Sequence, residues 1–205
     1  MLLNEPLGII EIPERKNHYG KKRFVKVKRI KNKMNKNRLD KSFFEQDVLK
    51  IAPELLGKFL VRAYDRNRIE RFKITETEAY RGEEDLGCHA SKGRTARTEV
   101  MYSSGGVIYI YLIYGMHWML NFVTGKKDQP QAVLIRGLEG IYGPGEITKK
   151  LQIDKDFYGE SLITSSRIWI ENTFQKVVYS TDVRIGINYA GEFWGKKQWR
   201  FILKF

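Results

Sequence analysis

Residues 107–124 read VIYIYLIYGMHWMLNFVT. Two runs dense in β-branched and aromatic side chains meet at Tyr114-Gly115, where the chain turns. Strand, tight turn and returning strand form an antiparallel unit, so this stretch limits the fold more than any other. Alternation places Tyr109 and Tyr111 on one face and sets Asn121 on the returning strand. The longest apolar run, Val107 to Tyr114, is far shorter than the roughly 18–20 residues a membrane helix needs.

The surrounding sequence extends the same architecture. Asp47 is placed to cap a short helix through Leu56, ended by Gly57, with Pro53 keeping its regular part brief. A hairpin is predicted over Lys58–Tyr64 and Ile69–Ala79, turning at Asp65-Arg66-Asn67. Residues 81–99 read as a loop. Gln131–Leu138 reads as a third strand beside the 107–124 hairpin, and Gly143–Ile153 as a capped helix. Short strands near Arg167–Ile170, Val183–Asn188 and Trp199–Leu203 close the domain. Strands and helices do not alternate as in a parallel array, so the expected class is α+β, a single domain over 39–205 with mainly antiparallel sheet and short helices.

Charge separates the beginning of the chain from the rest. The net charge of the 205 residues is +13. Residues 1–41 hold 13 Lys and Arg against 4 Asp and Glu, a net of +9, and the remainder holds 24 against 20, a net of +4. Such an excess points to a polyanionic partner, most often nucleic acid. Residues 1–38 are expected to be a basic, flexible arm, with a short strand available around Phe24, Val25, Val27 and Ile30. The arm is read either as a phosphate-binding element or as a solvated tail. One cysteine, Cys88, excludes an intramolecular disulfide. One thiol and three histidines, His18, His89 and His117, give no recognisable zinc spacing, and no metal or cofactor is expected. Pro144 removes a donor from GPGEIT and no GK[ST] follows, so that segment reads as a helix start rather than a phosphate loop. The opening MLLNEPLGII lacks the basic flank of a secretory signal.

The stretch ITETEAYRG, 74–82, begins as an apolar strand yet carries Glu76 and Glu78 on one face. Tyr80 shares that face, and His89 lies in the loop beyond. From the residues alone, Tyr80 and Tyr111 could be core tyrosines, His89 a solvated loop histidine and Tyr114 an ordinary turn aromatic. Arg136 could be half of a structural ion pair with Glu76 or Glu139.

Taken together, ETEAY (76–80), EEDLGCH (83–89), YIYLIYGMHWMLN (109–121), VLIRGLE (133–139), GPGEITKKL (143–151) and RIGINYAGE (184–192) resemble the alkyladenine (3-methyladenine) DNA glycosylase family. Order and spacing hold from about residue 39 onward, some four-fifths of the chain, with the basic arm outside. The resemblance implies the family's fold, which is formyltransferase C-terminal-like. It also implies a monofunctional DNA glycosylase of base excision repair that hydrolyses the N-glycosidic bond of alkylated or deaminated purines.

By that resemblance Glu78 is the general base that activates water, and Arg136 contacts the nucleotide backbone and that water. The backbone carbonyl near Ile185 is a further ligand of the water. Tyr80, His89 and Tyr111 are base-stacking walls, and Asn121 crowds the 2-amino group of guanine. Tyr114 is the wedge that fills the vacated stack, with Met116 beside it. Glu76 is expected to be structural, and Glu78 to have a low pKa in a basic groove. The implied partner is double-stranded DNA containing damaged purines, engaged by a monomer with no membrane association. The implied location is intracellular: the cytoplasm or nucleoid of a prokaryote, or the nucleus of a eukaryote. The alternative is a non-catalytic module that binds distorted DNA or RNA. Gly87-Cys88, His117-Trp118 and the SSGG turn at 103–106 depart from animal members of the family without removing a catalytic position.

Overall fold

The structure, a computed structural model, describes residues 37–204. The basic stretch before residue 37, with its expected flexibility and short strand, lies outside the described residues. At the start of the described chain, Arg38 donates through its guanidinium to the carbonyls of Leu162 and Ser165, at 2.6–3.0 Å.

Two short helices open the fold, α1 (Lys41–Phe44) and α2 (Val48–Glu54). Asp47 caps α2 by accepting from the Leu49 N–H at 2.9 Å, and Pro53 lies inside its last turn, which is why the helix is shorter than the expected 47–56 segment. The first hairpin is β1 (Phe59–Ala63) and the long β2 (Ile69–Arg81). The second is β3 (Ile108–Ile113) and β4 (His117–Val123). It is followed by β5 (Gln131–Leu138), the two-residue β6 (Ile141–Tyr142) and α3 (Pro144–Leu151). The chain ends with β7 (Ile168–Glu171), β8 (Tyr179–Asp182), α4 (Gly191–Gly195) and β9 (Arg200–Leu203).

Among the described residues all nine strands belong to one sheet, ordered β3-β4-β5-β2-β1-β7, with β6 on β5, β9 on β2 and β8 on β9. Every named pairing is antiparallel, as the hairpin signals predict. Among the described residues no helix is long and apolar enough to cross a membrane.

One expectation fails. Val183–Asn188 is not a strand; β8 lies just before it, in the polar Tyr179–Asp182. The Val183, Ile185, Ile187 alternation imitates a strand, but Gly186 has φ 80°. Val183 and Ile185 are exposed while Ile187 is buried, so no single face carries the apolar side chains.

Apolar side chains pack in two clusters. The larger joins Phe44, Ile51 and Leu55 to Leu60, Ile74, Leu120, Ile135 and Leu151. Full burial of each such side chain is worth about 1.5–3 kcal/mol. The smaller joins Cys88, Ala90, Val100, Met101 and Tyr102 from the 82–107 loop to Tyr109, Val123 and Ala132 of β3, β4 and β5. That loop is therefore anchored against the sheet, with short 3-10 turns at His89–Lys92 and Glu99–Tyr102.

Candidate active site

β2 runs through the centre of the site. Its second half pairs with β5 on one side and β9 on the other, with Glu78 opposite Leu134 and Arg200. Along β5 the ladder slips twice: Ile74 faces Leu138 and Glu76 faces Gly137, then Thr77 faces Ile135. Thr75 is thus an extra residue on β2 and Arg136 an extra residue on β5. Bulges of this kind re-aim side chains, and here the second one turns Arg136 toward both glutamates. Its Nε lies 3.4 Å from Glu76 and 3.5 Å from Glu78.

The two carboxylates differ in surroundings. Glu76 also accepts from Arg200 at 2.9 Å, so it is held in an ion-pair network, as expected of a structural residue. Glu139 pairs instead with Lys73. Glu78 has 0% exposure. Its Oε2 accepts the Tyr80 hydroxyl at 2.9 Å and its Oε1 accepts the backbone N–H of Ile185 at 2.9 Å.

The expectation of a low Glu78 pKa is wrong. Burial raises it above its ordinary 4.5, and Arg136, the Ile185 N–H and the Tyr80 hydroxyl offset that only in part. Desolvation at the site outweighs the chain's overall positive charge, most of which lies in the N-terminal stretch. A base whose pKa is moved toward neutral is better matched to accepting a proton near pH 7.

A cavity of about 560 Å³ opens in front of this group. Tyr80, His89, Tyr111, Asn121, Arg136 and Ile185 all line it, and Tyr114 stands at its edge. Glu78 does not line it; the carboxylate lies directly behind Tyr80, Arg136 and Ile185, bonded to each. His89 and Tyr111 meet edge to face with ring centroids 4.5 Å apart, so they form one angled wall rather than opposing plates. The size suits a small planar guest.

His89 is held neutral. Burial, then Arg97 and Lys92, lower its pKa to about 4. Arg97 can only donate, so its 3.5 Å contact with Nε2 leaves the His89 proton on Nδ1, which faces the Tyr109 hydroxyl at 2.8 Å. A histidine with a depressed native pKa binds fewer protons folded than unfolded between pH 6.5 and about 4. Stability must therefore fall as pH drops through that window. His89→Gln is expected to flatten this part of a plot of melting temperature against pH; an unaltered slope would assign the loss to other groups.

Asn121 is buried, and its Nδ2 donates to the carbonyls of Tyr109 and Met119 at 3.3 and 3.0 Å. The amide is therefore fixed at the cavity wall. Tyr114 is 87% exposed and Met116 69%, both at the tip of the β3–β4 hairpin. Cys88 is buried with its thiol pushed up to about 12, which makes it unreactive. Among the described residues no group of three or more His, Cys, Asp and Glu could hold a metal ion.

Sequence reading missed a buried pair behind the site. Arg184 and Asp85, 99 residues apart, form a two-pronged ion pair at 2.5 and 2.8 Å. Both lie inside recognised motifs, but nothing in either motif signals that they meet.

The chain is similar to known proteins over most of its length. The family described as Methylpurine-DNA glycosylase (MPG) matches residues 42–143 and 140–205. A relative from Psychrobacter cryohalolentis is 41% identical over 187 residues, 77% of this chain and 87% of its own. One from Natranaerobius thermophilus is 38% identical over 189 residues, 80% of this chain and 94% of its own. One from Borrelia garinii subsp. bavariensis is 43% identical over 180 residues, 80% and 95%. Each carries the name "Putative 3-methyladenine DNA glycosylase". The chain is a DNA-repair hydrolase that cleaves N-glycosyl bonds. The chain belongs to the methylpurine-DNA glycosylase family.

Proposed function

We propose that the protein is a monomeric, monofunctional glycosylase of base excision repair. It everts an alkylated or deaminated purine from duplex DNA and hydrolyses its bond to the sugar. The sheet is proposed to be the alkyladenine DNA glycosylase fold, similar to that of formyltransferase C-terminal domains. The observation that supports this reading best is the meeting of Glu78, at 2.9–3.5 Å, with Tyr80, Arg136 and Ile185, the three residues that separate it from an aromatic-lined cavity.

In the proposed reaction a water lies between Glu78, Arg136 and the Ile185 carbonyl. As the C1′–N bond lengthens, its electron pair leaves with the base, which departs neutral from a cationic lesion and takes up a proton from solvent when the lesion is neutral. Positive charge grows on the sugar, where the carboxylate stabilises it. The water oxygen bonds C1′ and its proton passes to Glu78. The products are the free base and an abasic site. Tyr80, His89 and Tyr111 hold the everted purine, for which an electron-rich tyrosine face favours cationic lesions such as 3-methyladenine. Lysine plays no nucleophilic part.

The test is base release under single-turnover conditions from duplexes containing 3-methyladenine, hypoxanthine or etheno-adenine, read as strand scission after alkaline treatment of the product. Release from lesion duplexes and not from an undamaged one is expected. Tight binding with no free base would replace the enzyme with a binding module. The fixed amide of Asn121 adds a second expectation. Asn121→Ser should raise release of normal guanine about tenfold, the scale at which one small group in a pocket discriminates. No gain in a competition assay would remove steric exclusion at that position.

A further inference from the structure

The Arg184–Asp85 pair is more heavily connected than a structural bridge requires. Both side chains have 0% exposure. Arg184 Nη1 donates to Asp85 Oδ2 at 2.5 Å and to the carbonyl of Ala79 at 3.0 Å. Its Nη2 donates to Asp85 Oδ1 at 2.8 Å and to the carbonyl of Trp194 at 3.3 Å. Asp85 in turn accepts the backbone N–H groups of Arg81 and Gly87, at 3.1 and 2.9 Å. The guanidinium lies over two aromatic rings, 4.8 Å from the centroid of Tyr80 and 5.0 Å from that of Trp199.

These contacts converge on the candidate base from two directions. Ala79 is the residue between Glu78 and Tyr80. Ile185, next after Arg184, supplies the N–H that Glu78 Oε1 accepts at 2.9 Å. A buried ion pair adds little net stability, because desolvation of two charges consumes most of its attraction. Its planar, many-donor head instead fixes the relative positions of several backbone segments.

We infer that Arg184, locked by Asp85, is a positioning residue for base excision: it fixes the Ile185 peptide against Glu78 and backs the Tyr80 ring, so the carboxylate is aimed before a lesion enters. Arg184 touches no reacting atom. The inference rests on the glycosylase reading given above. A lysine at this position would keep the charge but not the fork that reaches two carbonyls and both carboxylate oxygens.

The experiment compares wild type, Arg184→Lys and Asp85→Asn on a hypoxanthine duplex, measuring affinity, single-turnover release and the pH dependence of that release. Wild-type release is the reference: its absence would defeat the glycosylase reading, and this inference with it. With wild type active, a folded variant is expected to bind within about threefold of wild type and release base roughly 10–100-fold more slowly, the scale of a small misplacement of reacting groups. Its acid limb should also move to higher pH, because a carboxylate that loses an N–H donor holds its proton more tightly. Asp85→Asn keeps the side-chain oxygen that accepts from Arg81 or Gly87, and so serves where Arg184→Lys does not fold. Unchanged release would overturn the inference. So would a slower rate with an unmoved acid limb, or the unfolding of both variants, since either would leave the pair a purely structural one.

Discussion

Glu78→Gln is expected to lower base release by about 10²–10⁴-fold, the usual worth of general-base assistance, while affinity for the lesion duplex changes little. The glutamine oxygen can still accept the Ile185 N–H now bonded to Glu78 at 2.9 Å, and its amide can donate to the Tyr80 oxygen. Arg136 keeps Glu76 as a partner. The wall of the cavity therefore stays in place, and what is lost is a group able to take a proton.

The same variant is expected to gain stability relative to wild type as pH rises. Burial raises the native pKa of Glu78 above 4.5. The folded state therefore holds this proton more tightly than the unfolded one, and the resulting contribution to stability is complete below 4.5 and is lost as pH rises through the raised value. Glutamine does not ionise and loses nothing in that window. Its melting temperature relative to wild type should thus be higher at pH 7 than at pH 4. Wild-type release by the Gln variant would show that the carboxylate is not the base. A melting difference that did not change with pH would show that the carboxyl is not desolvated in solution.

The sheet was legible because strands with one buried face write a period of two into the sequence. β5 begins and ends at the predicted residues, Gln131 and Leu138, and the Tyr114-Gly115 turn falls between β3 and β4. The residues that gather around the cavity were legible only through the resemblance to the glycosylase family; from their own spacing Tyr80 and Tyr111 read as core tyrosines and His89 as a loop histidine. What stayed hidden was whatever breaks the period or depends on distant chain. The bulge that turns Arg136 toward Glu78 is a slip of one residue, invisible in a run that reads VLIRGLE. The irregular 183–188 segment imitates a strand, because alternation of apolar residues marks a face only where the backbone is extended. The Arg184–Asp85 pair joins two loops, and no local pattern links them. The raised Glu78 pKa departs from the sequence expectation for a related reason: net charge is a property of the whole chain, whereas desolvation is set by the atoms within a few ångströms.

Tyr114 carries the second large effect. It has φ 50°, and Gly115 follows at φ 69°. Two left-handed residues in succession match the twist of a tight hairpin, and the Met116 N–H closes the turn on the Ile113 carbonyl at 3.1 Å. Glycine adopts that backbone freely, but a tyrosine there is strained by about 1–2 kcal/mol. Its ring gains no burial in return, being 87% exposed in the free protein. Strain of this kind collects at functional positions, and a planar ring projecting from a hairpin tip is suited to enter a base stack. Tyr114→Gly is therefore expected to stabilise the free protein by about 1 kcal/mol and to slow excision by roughly 10–100-fold, because eversion costs a few kcal/mol that nothing then offsets. Tyr114→Ala should slow excision equally without the gain in stability, since alanine keeps the strained backbone. Phenylalanine should restore most of the rate, the hydroxyl having no part in wedging. Equal excision by wild type and Tyr114→Gly would show that the ring does not enter the stack, and a lower melting temperature for Tyr114→Gly would show that the turn is not strained.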